Sequence, residues 1–160
     1  MAKEIQLGKI SISTRNRRMG KTIQLMKKFE KNFDMNYEFY IPIDGMNRRY
    51  TQPLKTVLEA DCGASCCIAG FTVTANFPQI SRDRINKILD VAQEVLQLDH
   101  DLKELLFMNE KVTPEAFRLA AKLPEEHTLY NKDVSVGIKA LRQIVAAQNS
   151  RDRKELKCLN

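Results

Sequence analysis

The stretch Ala64 to Ala75 is apolar almost all round. A helix without a polar face has to be covered on every side, so the rest of the chain is expected to wrap around this segment. Phe71-Thr72-Val73-Thr74 also has strand propensity, but a buried helix, closed by Pro78, is the expected element. No apolar run approaches the roughly 20 residues that span a bilayer, so its cover has to be protein and no membrane partner is expected. At 160 residues the chain is one ordinary domain, able to bury about 70% of its unfolded surface without a disulfide or metal staple.

Periodicity supplies the cover. Lys3 to Thr14 reads as a strand in which Ile5 and Leu7, then Ile10 and Ile12, alternate with polar residues and the register slips at Gly8. Ile23, Met26, Phe29 and Phe33 predict a helix over 22–33 with its lysines facing away. Met35, Tyr37, Phe39, Ile41 and Ile43 occupy alternate positions, which predicts a second strand over 35–43 closed by Asp44-Gly45, with Pro42 marking an edge or a strand end. Helices follow: Thr51 to Ala60, a long one over Arg82 to Leu98 capped by Ser81, a short one after Asp99, one opened by Thr113-Pro114-Glu115 and ending at Leu123, and Val134 to about Gln148 capped by Asp133. Pro124 to Lys132 is the longest candidate loop. The expected fold is thus α+β and predominantly helical. A small β-containing element over 1–45 precedes a helical bundle over 46–149, and 150–160 forms a basic tail, frayed or disordered, all in one compact domain.

The net charge of +6 is unevenly placed. Residues 1–31 hold nine Lys/Arg against two Glu, or +7; residues 32–60 carry −1, residues 61–149 carry −2, and the tail carries +2. The centre of the basicity is Arg15, Arg17, Arg18, Lys21, Lys27, Lys28 and Lys31, with Arg48, Arg49 and Tyr50 as further candidates for the same surface. Such a block points to an acidic partner, either an acidic protein surface or nucleic acid, for which Tyr37, Phe39 and Tyr40 offer stacking rings. A helix-turn-helix reading of 99–126 fails on charge, because seven acids against four bases would repel phosphate.

The densest unusual motif is Cys62-Gly63-Ala64-Ser65-Cys66-Cys67-Ile68-Ala69-Gly70. Together with Leu96-Gln97-Leu98, Leu106-Phe107 and Thr113-Pro114-Glu115-Ala116, it resembles a group of small proteins of tailed phages and bacteria that share Cys-Gly-x-x-x-Cys-Ile-Ala-Gly. The match covers about 61–123, with Ala64 where relatives often place Thr. The group has no assigned activity, so the resemblance implies a helical core and a phage origin rather than a reaction. It leaves the basic N-terminal element outside.

The chemistry in this motif is weighed against packing. Cys62, Cys66 or Cys67 with His100 and His127 are the candidate metal ligands, but beyond Cys62-x₃-Cys66 they lack the paired spacing of a zinc site. Buried free cysteines are usually inert, so the thiols are expected to pack and no cofactor is expected. Gly20-Lys21-Thr22 is not a phosphate loop, because Arg15 stands where the motif needs the earlier glycine. His100 and His127 sit in acidic, loop-like surroundings, and Asp99, Asp101 and Glu104 read as helix caps and first-turn acids. With no apolar signal segment at the N-terminus, a cytoplasmic location is expected, the host cytoplasm for a phage product, with reduced cysteines. The expected function is non-enzymatic: a host-takeover or counter-defence protein that binds a host protein complex through its basic N-terminal surface. DNA or RNA binding by the same surface is one alternative, and a metal- or thiol-dependent enzyme centred on Cys62 to Cys67 is the other.

Overall fold

The computed structural model describes residues 8–35, 37, 39–42, 49–60, 63–107 and 133–159. Six α-helices run through them: α1 (Ile12–Lys28), α2 (Leu54–Glu59), α3 (Ile68–Asn76), α4 (Ile88–Leu96), α5 (His100–Phe107) and α6 (Val134–Cys158). Single 3₁₀ turns lie at Glu30–Asn32 and Arg82–Arg84.

The apolar segment takes the central place its composition demands. Every residue of α3 from Ile68 to Thr74 is buried, and the helix packs chiefly on α1 and α4, with α2 and α5 completing its cover. Its two threonines turn inward without an unsatisfied hydroxyl: Thr72 Oγ1 donates to Ile68 O at 2.8 Å and Thr74 Oγ1 to Gly70 O at 2.7 Å. The extended residues before it, 64–67, were expected within the helix. On the other side of α1 lies α6, which also carries α5, and the buried side chains of all six helices form one hydrophobic cluster.

The expected N-terminal β element is not there: the described residues contain isolated bridges but no strand or sheet. Residues 3–7 lie outside the described residues. From Ser11 onward the predicted strand is helix, with the Ser11 hydroxyl accepting from Thr14 N at 3.1 Å as an N-cap. The helix therefore starts ten residues before the expected Thr22. Residues 8–10 are neither helix nor strand and are held by a side chain: Gln97 Oε1 accepts from Ile10 N at 2.9 Å and Gln97 Nε2 donates to Gly8 O at 2.8 Å.

The alternation over 35–43 also fails to make a ladder. Met35, Phe39 and Ile41 are buried, while Tyr37 turns out to solvent and its ring sits 4.9 Å from that of Tyr40. Among the described residues the segment meets the stretch before α3 at single points, through the Tyr40–Ser65 bridge and the bond from Cys67 N to Tyr37 O, next to the Phe33–Cys66 bridge just before it. Ile43, the Asp44-Gly45 turn, the Thr113 to Leu123 helix and the loop after it fall outside the described residues.

Other boundaries also differ: the helix expected from Thr51 begins at Leu54, with Pro53 in the N-cap position. The helix expected from Arg82 is interrupted, since Ile85 returns to extended backbone (φ −120°, ψ 110°) after the 3₁₀ turn, and α4 begins only at Ile88. Of the expected 150–160 tail, residues 150–158 continue α6, a helix of 25 residues that opens on Asp133, whose carboxylate accepts from Ser135 N at 2.9 Å.

Candidate basic interface

The seven cations of the N-terminal block divide by helical phase. Arg15 falls on the same side of α1 as Thr22, Ile23 and Met26 and is buried, with 2% of its surface exposed. Its Nε donates to Leu96 O at 2.6 Å and its Nη2 to Gln97 O at 3.3 Å, while Nη1 reaches Asn149 Oδ1 at 2.8 Å and Asp152 Oδ2 at 2.6 Å. Arg18 is half-buried one turn further on, and its Nη1 donates to Val95 O at 2.8 Å. Both arginines thus satisfy carbonyls at the C-terminus of α4, where the last C=O groups lack helical partners and the dipole is negative. Burial, and then the neighbouring Arg17, pull the Arg18 pKa below that of a free arginine. Arg15 is therefore a buried scaffold residue and is not on the exposed basic face, and Arg18 is tied to α4 by one bond.

The remaining cations face outward. Arg17, Lys21, Lys27, Lys28 and Lys31 are exposed. Arg17, Lys21, Gln24 and Lys28 are separated by four, three and four residues, which aligns them along one face of α1 over about 16 Å at 1.5 Å per residue. Alongside this stripe, α2 and the end of α3 form the opposite wall of a shallow cleft of about 310 Å³. Lys21, Gln24 and Lys28 come from α1 and Lys55 from α2, and Leu25, Thr74, Ala75 and Pro78 complete the lining. Three lysines and no acid line the cleft among the described residues. Glu59, at the end of α2, reaches Lys28 Nζ at 3.8 Å, both side chains being largely exposed, an arrangement that contributes little to stability.

Lys55 is the residue that sequence reasoning missed. It lies 27 positions beyond Lys28 and is brought beside α1 only because α1 and α2 both pack on α3, a relation no local spacing encodes. Arg49 is half-buried and Tyr50 exposed at 36%; Arg48 lies outside the described residues. Neither Arg49 nor Tyr50 lines the cleft.

The thiol and metal candidates occupy different settings. Cys66 and Cys67 are buried, at 0% and 2% exposure, in the bridge between the loop after α1 and the start of α3: Cys66 N donates to Asn32 O at 2.9 Å and Cys67 N to Tyr37 O at 2.6 Å. Burial, reinforced by Cys67, pushes the Cys66 thiol well above its usual pKa, the opposite of what a nucleophile or thiolate ligand needs. His100 is on the surface of α5, 3.6 Å from Glu104. Cys62 and His127 lie outside the described residues, and among those described no three His, Cys, Asp or Glu side chains are grouped to hold a metal. No helix among the described residues is long and apolar enough to cross a membrane.

No protein-family model matches the chain, and comparison with curated proteins and with solved structures finds no match.

Proposed function

We propose that this protein acts by binding rather than catalysis, and that the exposed cations of α1, Arg17, Lys21, Lys27 and Lys28, together with Lys31 in the 3₁₀ turn that follows, dock an acidic surface on a partner protein. One observation carries the reading: the basic block is sorted, with Arg15 and Arg18 spent on α4 carbonyls while Arg17, Lys21 and Lys28 align on an exposed face that is joined by Lys55 at the cleft. A helix stabilised from within does not need this outer row, and its like charges oppose one another at i,i+4. The resemblance of 61–123 to small phage proteins supports a host protein complex as the partner and a host-takeover or counter-defence role.

The test is a pull-down from bacterial lysate with wild type and with Arg17→Glu, Lys21→Glu, Lys28→Glu combined. Those three positions are exposed, so the variant keeps its thermal unfolding midpoint. Loss of the specifically captured proteins is expected. Capture of the same proteins by the folded variant rejects the reading.

Nucleic acid on the same face is the second reading, favoured by the exposed Tyr37–Tyr40 ring pair that follows α1 in the chain. It predicts a log-log salt slope of about −3 for single strands, with four phosphates neutralised at roughly −0.7 each. A flat salt dependence rejects it.

A further inference from the structure

The cleft between α1 and α2 is not a uniform basic surface. Its lining mixes cationic and apolar groups: buried Leu25, half-buried Ala75 and exposed Pro78, with buried Thr74, share it with Lys21, Lys28 and Lys55. At about 310 Å³ it stands at the small end of ligand sites, a space for one side chain or a small group. Among the described residues that line it there is no aromatic ring on which a base could stack and no arginine fork to grip a phosphate through two parallel bonds. Lysines are point charges without that directional demand. A carboxylate of the protein itself, Glu59, already reaches the rim at Lys28.

We infer that the cleft receives a short acidic segment of a partner protein that carries one aliphatic side chain flanked by carboxylates. The aliphatic group sits on Leu25, Ala75 and Pro78, and the carboxylates face Lys21, Lys28 and Lys55. This inference rests on the basic-face reading above and specifies its recognition element. The apolar contact supplies selectivity that charge alone lacks, because any acidic surface satisfies the lysines but only an anchored one covers the apolar part of the lining.

Two fluorescein-labelled peptides of Glu and Ser, identical except for a central Leu or a central Ser, are titrated with the full-length protein and read by anisotropy, beside a labelled single-stranded oligonucleotide. The Leu peptide is expected to bind about tenfold more tightly than the Ser peptide, the scale on which burial of one aliphatic side chain acts. Lys55→Glu is expected to weaken both peptides tenfold or more. Ala75→Gln, which puts a polar chain in the apolar part of the lining, is expected to abolish the Leu preference while leaving Ser-peptide binding unchanged. Equal affinity of the two peptides for wild type overturns the anchored-segment inference and leaves the basic-face reading standing, and this comparison needs no variant to fold. A Leu preference that survives both substitutions in folded protein overturns the assignment to this cleft. Failure of both peptides to bind, with or without binding of the oligonucleotide, overturns the inference and the reading beneath it together.

Discussion

Arg15 shows how one residue type serves two ends within a few positions. Its guanidinium has no place in water: it bonds carbonyls of Leu96 and Gln97, the Asn149 amide and the Asp152 carboxylate, so it ties α1 to the end of α4 and to α6 at once. The planar fork suits this task, since its five donors diverge toward acceptors from separate elements. Gln97 adds to the junction. It adopts a left-handed conformation (φ 46°, ψ 58°) where glycine is the common choice, and it keeps a side chain that holds the backbone of Gly8 and Ile10. Removing one partner from a buried ion pair leaves the other uncompensated, so Arg15→Met is expected to lower the unfolding free energy by about 3–5 kcal/mol. Arg17→Met, two residues away and exposed, should change it by no more than about 0.5 kcal/mol. Urea denaturation of the two variants decides the matter, and equal stabilities would place Arg15 back on the surface.

At the scale of elements, the glycines of α1 and α6 make opposite forecasts. A Cβ built on Gly137 would lie 2.7 Å from Phe33 Cζ and 3.2 Å from Met26 Cε, and Phe33 and Met26 are themselves fully packed. This glycine lets α6 approach α1 closely, and Gly137→Ala is expected to destabilise by about 1–3 kcal/mol through overpacking. Gly20, inside α1, has nothing within 4 Å of a built Cβ, so Gly20→Ala should stabilise by about 0.5–1 kcal/mol through helix propensity. Thermal melts of the two variants moving in the same direction would refute this assignment. The same helix explains what the sequence concealed. The inward face of α1 runs through Arg15, Thr22 and Met26, so two of its buried positions are polar and the apolar period becomes visible only from Ile23 onward. With Gly20 in mid-helix, the earlier Ile10 and Ile12 looked like the end of a strand. Over 35–43 the alternation is real in the letters, yet strand formation needs a neighbour with matching register, and the described residues give this region isolated contacts with Ser65 and Cys67 rather than a ladder. Where composition constrains strongly, as in the mostly apolar α3 from Ile68 onward or the Asp133 cap of α6, the local reading matches the structure. The outward lysines of α1 were legible for the same reason, whereas Lys55 was not, because its place beside them is a product of tertiary packing.

For the molecule as a whole, α6 is the member that joins α1 to the start of α5, and two of its side chains do so through charge. Asp152 joins Arg15 on α1, and Arg151 joins Asp99 and Asp101 at the start of α5. Burial alone would raise the Asp152 pKa, but the hydrogen bonds from Gln148 and Arg15 and the charge of Arg15 outweigh it and hold the carboxyl below its ordinary value. The bond from Arg151 lowers that of Asp101 in the same way. A carboxylate depressed in the folded state gives stability that is complete above the unfolded value of about 3.9 and is lost as pH falls through the folded value, because the unfolded chain then binds more protons. The Asp101 side chain is 60% exposed, so its share is screened and small. The Asp152 side chain is only 24% exposed and its partner 3%, which makes this pair the main source of the effect. Asp152→Asn keeps the shape and removes the charge. The variant is expected to melt below wild type by a constant margin between pH 5 and 7, and the margin should close below about pH 4 as the wild-type carboxyl takes up its proton. A margin that persists undiminished at pH 3, or that widens in acid, would show that the join between α1 and α6 does not depend on the Asp152 charge.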